Sequence, residues 1–441
     1  MASVLFAAAI LFIIFFILLF LRVPIAIAIA TASVVCVSVL LAPDFGIFVG
    51  AQRMVASINS FTLLAVPFFI LSGLLMNSGG IAQRLIDFSE AIMGKVPGSL
   101  AVTNILGNAM FGSISGSGTA AASAMGGTLG PIQKENGYDE AFSAAVNVTS
   151  APVGQLIPPT AAFIVYSLAA GSVSVSALFL AGWIPGLLWT LAVAVVAIVI
   201  SKKRGYKNVK PKIGFKNYLK LLAITFWRAL PSLLLIFIIV GGIVAGIFTA
   251  TEAAAVALLY TLFLSVVCYR TIGLQELRVV FGEAAVLSAT IMFLIGASGV
   301  MGFVMTFTGI PEAISNAVMG VSDSTIVIFL LMNLILLVVG TFMDMAPAIL
   351  IFTPIFLPIA TNLGMDPIQF GVIIVFNLAL GTITPPVGTV LFIGSNVGRV
   401  SVERIIKEAI PFYLVIVFTM MLVTFIPALS MWLPTLLGQV Q

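Results

Sequence analysis

Long apolar runs follow one another along almost the whole chain, separated by short polar stretches. The runs at 4–21, 23–42, 61–77, 177–200, 229–248, 284–307, 326–343 and 411–438 approach or exceed the roughly 20 residues that an α-helix needs to cross a bilayer. Polar and small residues break the pattern at four places. Residues 112–120 read Gly-Ser-Ile-Ser-Gly-Ser-Gly-Thr-Ala, and residues 154–160 read Gly-Gln-Leu-Ile-Pro-Pro-Thr. Residues 340–348, Gly-Thr-Phe-Met-Asp-Met-Ala-Pro-Ala, and 381–387, Gly-Thr-Ile-Thr-Pro-Pro-Val, follow in the same order. Gly112 and Gly340 are 228 positions apart, and Gly154 and Gly381 are 227 apart. Interrupted apolar segments at matching places in both halves point to a transporter site near the bilayer midplane.

The correspondence extends beyond these motifs. Phe69-Ile-Leu-Ser-Gly73 resembles Leu294-Ile-Gly-Ala-Ser-Gly299, and Gly80-Ile81 aligns with Gly309-Ile310. Ser174-Val175 with Pro185 aligns with Ser401-Val402 with Pro411. The pattern predicts an all-α polytopic membrane protein of two inverted-topology repeats, at 1–200 and 221–441. Each repeat is expected to hold a re-entrant helical hairpin (97–130 and 324–360) and a broken transmembrane helix. A hairpin of two half-helices of about 11 residues reaches roughly 16 Å, half the hydrocarbon core.

Charge placement gives an orientation. Residues 201–220 hold Lys202, Lys203, Arg204, Lys207, Lys210, Lys212, Lys216 and Lys220 and no acid. Such a linker belongs in the cytoplasm. With the N-terminus outside, the first half is expected to cross five times, which inverts the second half. The 80–95 stretch and residues 311–323 then lie as interfacial helices, and the second broken helix spans 367–397. This threading puts eighteen of the nineteen basic residues inside and leaves only Arg53 outside. Glu252 is expected at a helix N-terminus and Glu283 on an interfacial turn. The first apolar run has no Lys or Arg ahead of it and is expected to be a retained helix.

With 61% hydrophobic and 8% charged residues, the chain is no soluble domain. It has no histidine, which excludes Ser-His-Asp triads and histidine metal sites. An intramembrane enzyme would need a second membrane-depth carboxylate near Asp344, and none lies close in sequence. Cys36 and Cys268 sit in apolar runs, as packed thiols do. The net charge of +4 reflects lysines placed relative to a bilayer and implies no nucleic acid.

Proline supplies the chemistry of the breaks. It has no N–H, so the carbonyl four residues back loses its helical donor. Pro158 and Pro159 should free the carbonyls of Gly154 and Gln155. Pro385 and Pro386 should free those of Gly381 and Thr382. Hard cations such as sodium take carbonyl and hydroxyl oxygens. Ser113, Ser115 and Ser117 at one tip, and Thr341 with Asp344 at the other, can supply more. The alternative for each motif is a proline kink re-satisfied by neighbouring hydroxyls. Half-helix N-termini at the tips suit a carboxylate, which makes Ser117, Thr119, Pro158, Ala346 and Pro385 candidates for the substrate cavity. Asp344 lies in an apolar stretch where a carboxylate costs about 3 kcal/mol unless paired or ion-bound.

Gly112-Ser-Ile-Ser-Gly-Ser-Gly, Ile157-Pro-Pro-Thr160, Gly246-Ile-Phe-Thr-Ala-Thr-Glu-Ala-Ala254 and Thr384-Pro-Pro-Val-Gly388 together resemble the large membrane subunit of the tripartite ATP-independent periplasmic (TRAP) transporters. The resemblance covers nearly the whole chain. It implies sodium-driven, elevator-type uptake of an organic acid anion, sialic acid or a C4-dicarboxylate, across the bacterial inner membrane. It also implies two protein partners, a periplasmic substrate-binding protein and a small four-helix membrane subunit expected as a separate chain. The family's sodium sites carry over to Ser115, Gly154, Ile157 and Pro159, and to Gly340, Asp344, Gly381 and Thr384, with Ser113, Thr341 and Pro386 beside them. The expected ligands are two or more sodium ions, with no organic cofactor. The main alternative is a stand-alone sodium/dicarboxylate symporter that needs no binding protein.

Overall fold

The computed structural model describes residues 2–439 except 94–95, 172, 207–214, 321 and 323. These residues form α-helices joined by short turns, and no strand occurs among them. The first helices are α1 (Ala2–Phe20), α2 (Ile25–Leu41), α3 (Pro43–Ile58), α4 (Ala65–Ser78) and α5 (Ile81–Met93). Then come α6 (Ser99–Ser115), α7 (Gly118–Glu135), α8 (Glu140–Ser150), α9 (Ala161–Ala169) and α10 (Val175–Arg204). The second half has α11 (Phe215–Val244), α12 (Ala250–Leu262), α13 (Leu274–Thr308), α14 (Ile310–Met319) and α15 (Thr325–Phe342). It ends with α16 (Met345–Asn362), α17 (Pro367–Gly381), α18 (Thr389–Gly398), α19 (Val402–Phe425) and α20 (Ala428–Leu436). One order therefore occurs twice: long helix, short helix, tightly turned pair, interrupted helix, long helix.

Eight helical segments among the described residues are long and apolar enough to cross a membrane. Large apolar side chains are exposed along them, as in Leu191 on α10, Phe237 on α11 and Leu334 on α15, and the shorter apolar helix α1 shows the same at Leu5, Phe6, Ile13 and Phe20. A helix apolar on all sides suits lipid on one face and protein on the other. The core is built across the halves. Trp189 on α10 stacks on Phe376 of α17 with ring centroids 4.7 Å apart. Its indole N–H donates to the Thr149 carbonyl at 2.9 Å. Gly371 on α17 leaves room for the Tyr166 ring, which a Cβ there would meet at 2.4 Å.

Several sequence expectations need correcting. Helix α3 was not anticipated, because Asp44, Gln52 and Arg53 dilute its apolar pattern; Pro43 and Asp44 in its first turn are nonetheless helix-start residues. The 201–220 linker is shorter than expected. Helix α10 continues through Lys202, Lys203 and Arg204, where cations suit a helix C-terminus, and α11 already begins at Phe215. Lys207, Lys210 and Lys212 lie outside the described residues. Hydropathy reports membrane depth and says little about where a helix ends, so α13 too starts earlier, at Leu274, and Glu283 is inside it and not on a turn. The 411–438 run is two helices, separated at Ile426-Pro427 by a residue that cannot continue a helix bond ladder. Glu252 does cap a helix: it accepts from the Thr249 N–H at 2.8 Å in a reciprocal capping box.

Charged residues gather at one end. Arg204 pairs with Glu408 at 2.7 Å, Arg404 approaches Asp139 at 3.6 Å, and Lys134 pairs with Glu140. The Tyr206 hydroxyl accepts from the Asp139 N–H at 3.1 Å. Basic segments of both halves thus meet on one side of the molecule.

Candidate functional site

Each helix pair is locked to an interrupted helix by glycine. Helix α6 ends at Gly116, whose φ of 65° is left-handed, a conformation glycine adopts without a Cβ penalty. One turn back, Gly112 lies directly on Gly154. A Cβ on Gly154 would stand 2.0 Å from the Gly112 carbonyl carbon. The second half repeats this contact, for a Cβ on Gly381 would stand 2.4 Å from the Gly340 carbonyl carbon. Only glycine permits such an approach. The arms are 17 and 18 residues long in α6 and α7, and 18 in each of α15 and α16, well beyond the 11 expected. At 1.5 Å per residue an arm measures about 26 Å, so arm length alone does not fix the depth of the tips. Packing against the breaks is what positions them.

Buried asparagines reinforce both junctions. Asn108 on α6 donates from Nδ2 toward Asn147 Oδ1 of α8 at 3.1 Å and Ser150 Oγ at 2.8 Å. Asn377 on α17 donates to Asn333 Oδ1 of α15 at 2.7 Å. The sequence reading missed these residues. Their signal was available: an asparagine in an apolar membrane helix must find a partner.

At the first tip, Ser115, Ser117 and Thr119 are half-buried and lie together. Ser117 caps α7 by accepting from the Ala120 N–H at 3.3 Å, and its hydroxyl is 2.9 Å from that of Thr119. Ser115 Oγ accepts a long bond from the Ser117 N–H at 3.5 Å. Ser113 is buried and donates back to the Met110 carbonyl at 2.8 Å. Across from them the chain leaves helix after Gln155 and turns through Pro158-Pro159, joined by a cis peptide bond. Among the described residues no donor reaches the carbonyls of Gly154 or Gln155. The side-chain Oε1 of Gln155 is also buried without a donor, so Gln155 joins this cluster. The Ile157 side chain packs on α10, against Gly186.

The second junction differs. Pro385-Pro386 is again cis. The expectation that Gly381 and Thr382 would have bare carbonyls does not hold. The Thr384 N–H donates to Gly381 at 3.0 Å, and the Val390 N–H donates to Thr382 at 3.0 Å. The chain tightens into a turn there and recovers donors from beyond the break, an option that simple i−4 counting overlooks. The Gly340 carbonyl instead accepts no bond among the described residues. Thr341 donates from its hydroxyl to Val338 at 2.7 Å, and Thr384 likewise to Leu380 at 2.7 Å. Asp344 occupies the N-cap position of α16 and makes no capping bond with its side chain. Its carboxylate is exposed and has no hydrogen-bond or ion partner among the described residues. Ala346 is half-buried beside it, Pro385 is half-buried, and Pro386 is exposed.

The two junctions are neighbours. Gly118, opening α7, sits where a Cβ would be 3.3 Å from the Val390 side chain of α18. Helix α16 packs on α9, and α18 on α7 and α8. Each tip therefore faces the break of its own half and a helix of the other. Open carbonyls, hydroxyls, one unpaired carboxylate and two half-helix N-termini lie at these two neighbouring junctions, an arrangement able to hold cations beside an anion.

A solved structure shares the fold of this helical membrane chain. The Alcanivorax borkumensis YdaH transporter superposes with a TM-score of 0.60 at 15% identity, over 87% of this chain and 89% of that one. The particular family follows from sequence: residues 12–429 match the model of the tripartite ATP-independent periplasmic transporter, DctM component, and the chain belongs to that family. It is 39% identical to the C4-dicarboxylate TRAP transporter large permease protein DctM of Pseudomonas aeruginosa, over 88% of this chain and 90% of that protein. It is 37% identical to the sialic acid TRAP transporter large permease protein SiaM of Vibrio cholerae, over 89% and 90%. An uncharacterized protein of Salmonella typhimurium, YgiK, is 48% identical over 96% of both chains. The chain is thus the large permease subunit of a tripartite secondary transporter, a multi-pass inner-membrane protein and not an enzyme.

Proposed function

We propose that this subunit carries an organic acid anion, a C4-dicarboxylate or a sialic acid, into the cell and couples its movement to sodium. The observation that carries the reading is the doubled junction, in which a glycine of each tip seats on a glycine of each break. Sodium takes oxygen ligands, and the first junction offers the Gly154 and Gln155 carbonyls with Ser115. The second offers the Gly340 carbonyl, Thr341, Thr384 and Asp344. The residues fit the ion: neutral oxygens at one junction, and a carboxylate at the other to offset its charge. The N-termini of α7 and α16, with Ser117, Thr119 and Ala346, then face the carboxylate of the substrate. The similarity to a C4-dicarboxylate permease and to a sialic acid permease supports the two substrate classes.

Two further subunits complete the transporter in this reading: a small membrane protein beside the lipid-facing helices and a binding protein that delivers the anion. The test is uptake of labelled succinate and N-acetylneuraminate into proteoliposomes under an inward sodium gradient. The chain is assayed alone and with both partners. Uptake that requires sodium and all three components supports the proposal. Uptake by this chain alone would instead establish a stand-alone symporter, and uptake indifferent to sodium would remove the coupling.

A further inference from the structure

A cavity of about 580 Å³ opens away from the tips, between α7, α8 and the end of α18. That volume lies in the ~300–1,000 Å³ range of small-molecule sites. Its wall carries polar atoms that the fold leaves unused. Asn104 is fully buried, and its Nδ2 has no acceptor while its Oδ1 accepts from Asn108 at 2.9 Å. Gln133 is 1% exposed; its Nε2 donates to the Leu100 carbonyl at 3.1 Å, and its Oε1 has no donor. Ser143 Oγ is also buried without a partner. Arg399 and Lys134 stand at the rim, at the end where the ion pairs of both halves gather. A buried polar atom without a partner is costly, and polar groups kept so beside a roomy cavity point to a ligand.

The chemistry of the wall selects the ligand. A buried amide donor and the Arg399 guanidinium at the rim suit a carboxylate, Lys134 being paired with Glu140 on the same wall, and a buried amide acceptor suits a hydroxyl or N–H on the same molecule. Gly127 and Gly130 keep the cavity open, since a Cβ on either would meet nothing within 4 Å. We propose that this cavity is a second binding site for a small hydroxylated carboxylate, placed at the basic, inward end of the chain and occupied as the anion leaves the tips. The inference rests on the uptake reading above.

The test uses thiol labelling of the purified transporter with its partner subunits. Cys268→Ser removes the exposed cysteine, Cys36 is buried, and Gly127→Cys places a thiol on the cavity wall. Malate or N-acetylneuraminate should slow its reaction with N-ethylmaleimide, by roughly tenfold when the site is nine-tenths filled. Sulfate should not. Asn104→Asp keeps the Oδ1 acceptor used by Asn108 and replaces the donor by a negative oxygen. It should abolish the protection and also lower the melting temperature, because the new carboxylate is buried without a partner; Arg399→Gln at the rim should weaken the protection at an unchanged melting temperature. Sodium-driven uptake of both acids is measured on the same preparations. Uptake without protection, or protection that survives Asn104→Asp, overturns the second site and leaves the uptake reading intact. Absence of uptake of both acids overturns that reading and the second site with it.

Discussion

A methyl group added at Gly154 should damage this protein more than any comparable change in its helices. The new Cβ would stand 2.0 Å from the Gly112 carbonyl carbon, 2.2 Å from its Cα and 2.5 Å from its oxygen. Carbon atoms rest at about 3.5–4.0 Å, so two backbones must part by roughly 1.5 Å. Neither partner is a flexible side chain. The Gly154 side is held by Trp189, which anchors the Thr149 carbonyl, and the Gly112 side by the Asn108 hydrogen bonds. Overpacking costs about 1–3 kcal/mol, and Gly154→Ala belongs at the upper end. The same geometry ranks the other glycines. Gly381→Ala meets backbone at 2.4 Å, Gly112→Ala at 2.9 Å and Gly340→Ala at 3.1 Å, so the losses should fall in that order. Gly130→Ala meets nothing within 4 Å, and alanine is favoured over glycine in a helix by about 1 kcal/mol. The assay is thermal unfolding of each variant in detergent, with sodium-driven uptake measured on the same proteins. Gly154→Ala should melt lowest and transport least, and Gly130→Ala should melt at or above wild type. A Gly154→Ala protein that melts with wild type, or below which Gly340→Ala falls, would refute the close-contact reasoning.

Further outcomes are expected at other positions. Asp344→Asn should abolish sodium-dependent uptake while leaving the melting temperature unchanged, because the carboxylate has no partner in the fold; wild-type sodium dependence would remove it from the ion site. Ser115→Ala should weaken the apparent sodium affinity, read as a higher half-saturating sodium concentration in uptake. Asn377→Leu removes the 2.7 Å donor to Asn333 Oδ1, leaves it only the Thr424 hydroxyl at 3.4 Å and should destabilise by about 1–3 kcal/mol, checked by thermal unfolding. Glu252→Ala should lower the melting temperature slightly by removing the acceptor of the Thr249 N–H, with uptake per folded molecule unaltered.

The fold class was legible because hydropathy and repeat spacing are one-dimensional signals. Gly112, Gly154, Gly340 and Gly381 stood out by spacing alone, and the structure shows them in direct pairwise contact. What the sequence concealed was three-dimensional. Bond counting along the helix freed Gly381 and Thr382, yet Val390 and Thr384 reach back to satisfy them. The asparagines keep the repeat only in part: Asn104 and Asn333 are 229 positions apart, as Gly80 and Gly309 are, but Asn104 is bonded to Asn108 on its own helix and Asn333 to Asn377 on another. Helix α3 and the ends of α10 and α13 were obscure for another reason. Charged residues there are solvated extensions of helices, and hydropathy responds to solvation.

The short lengths at the first break bear on how the protein is made. Helices α8 and α9 have 11 and 9 residues, and neither is among the eight segments long and apolar enough to cross a membrane alone. An insertion machinery that admits segments by length and apolarity has little to grip there. It would engage α10 and the long spans before these pieces, and the region around Gly154 would slot into place only after its walls had been laid down. Biogenesis would then have two checkpoints, and a chain could thread the bilayer correctly in every span and still lack its transport site.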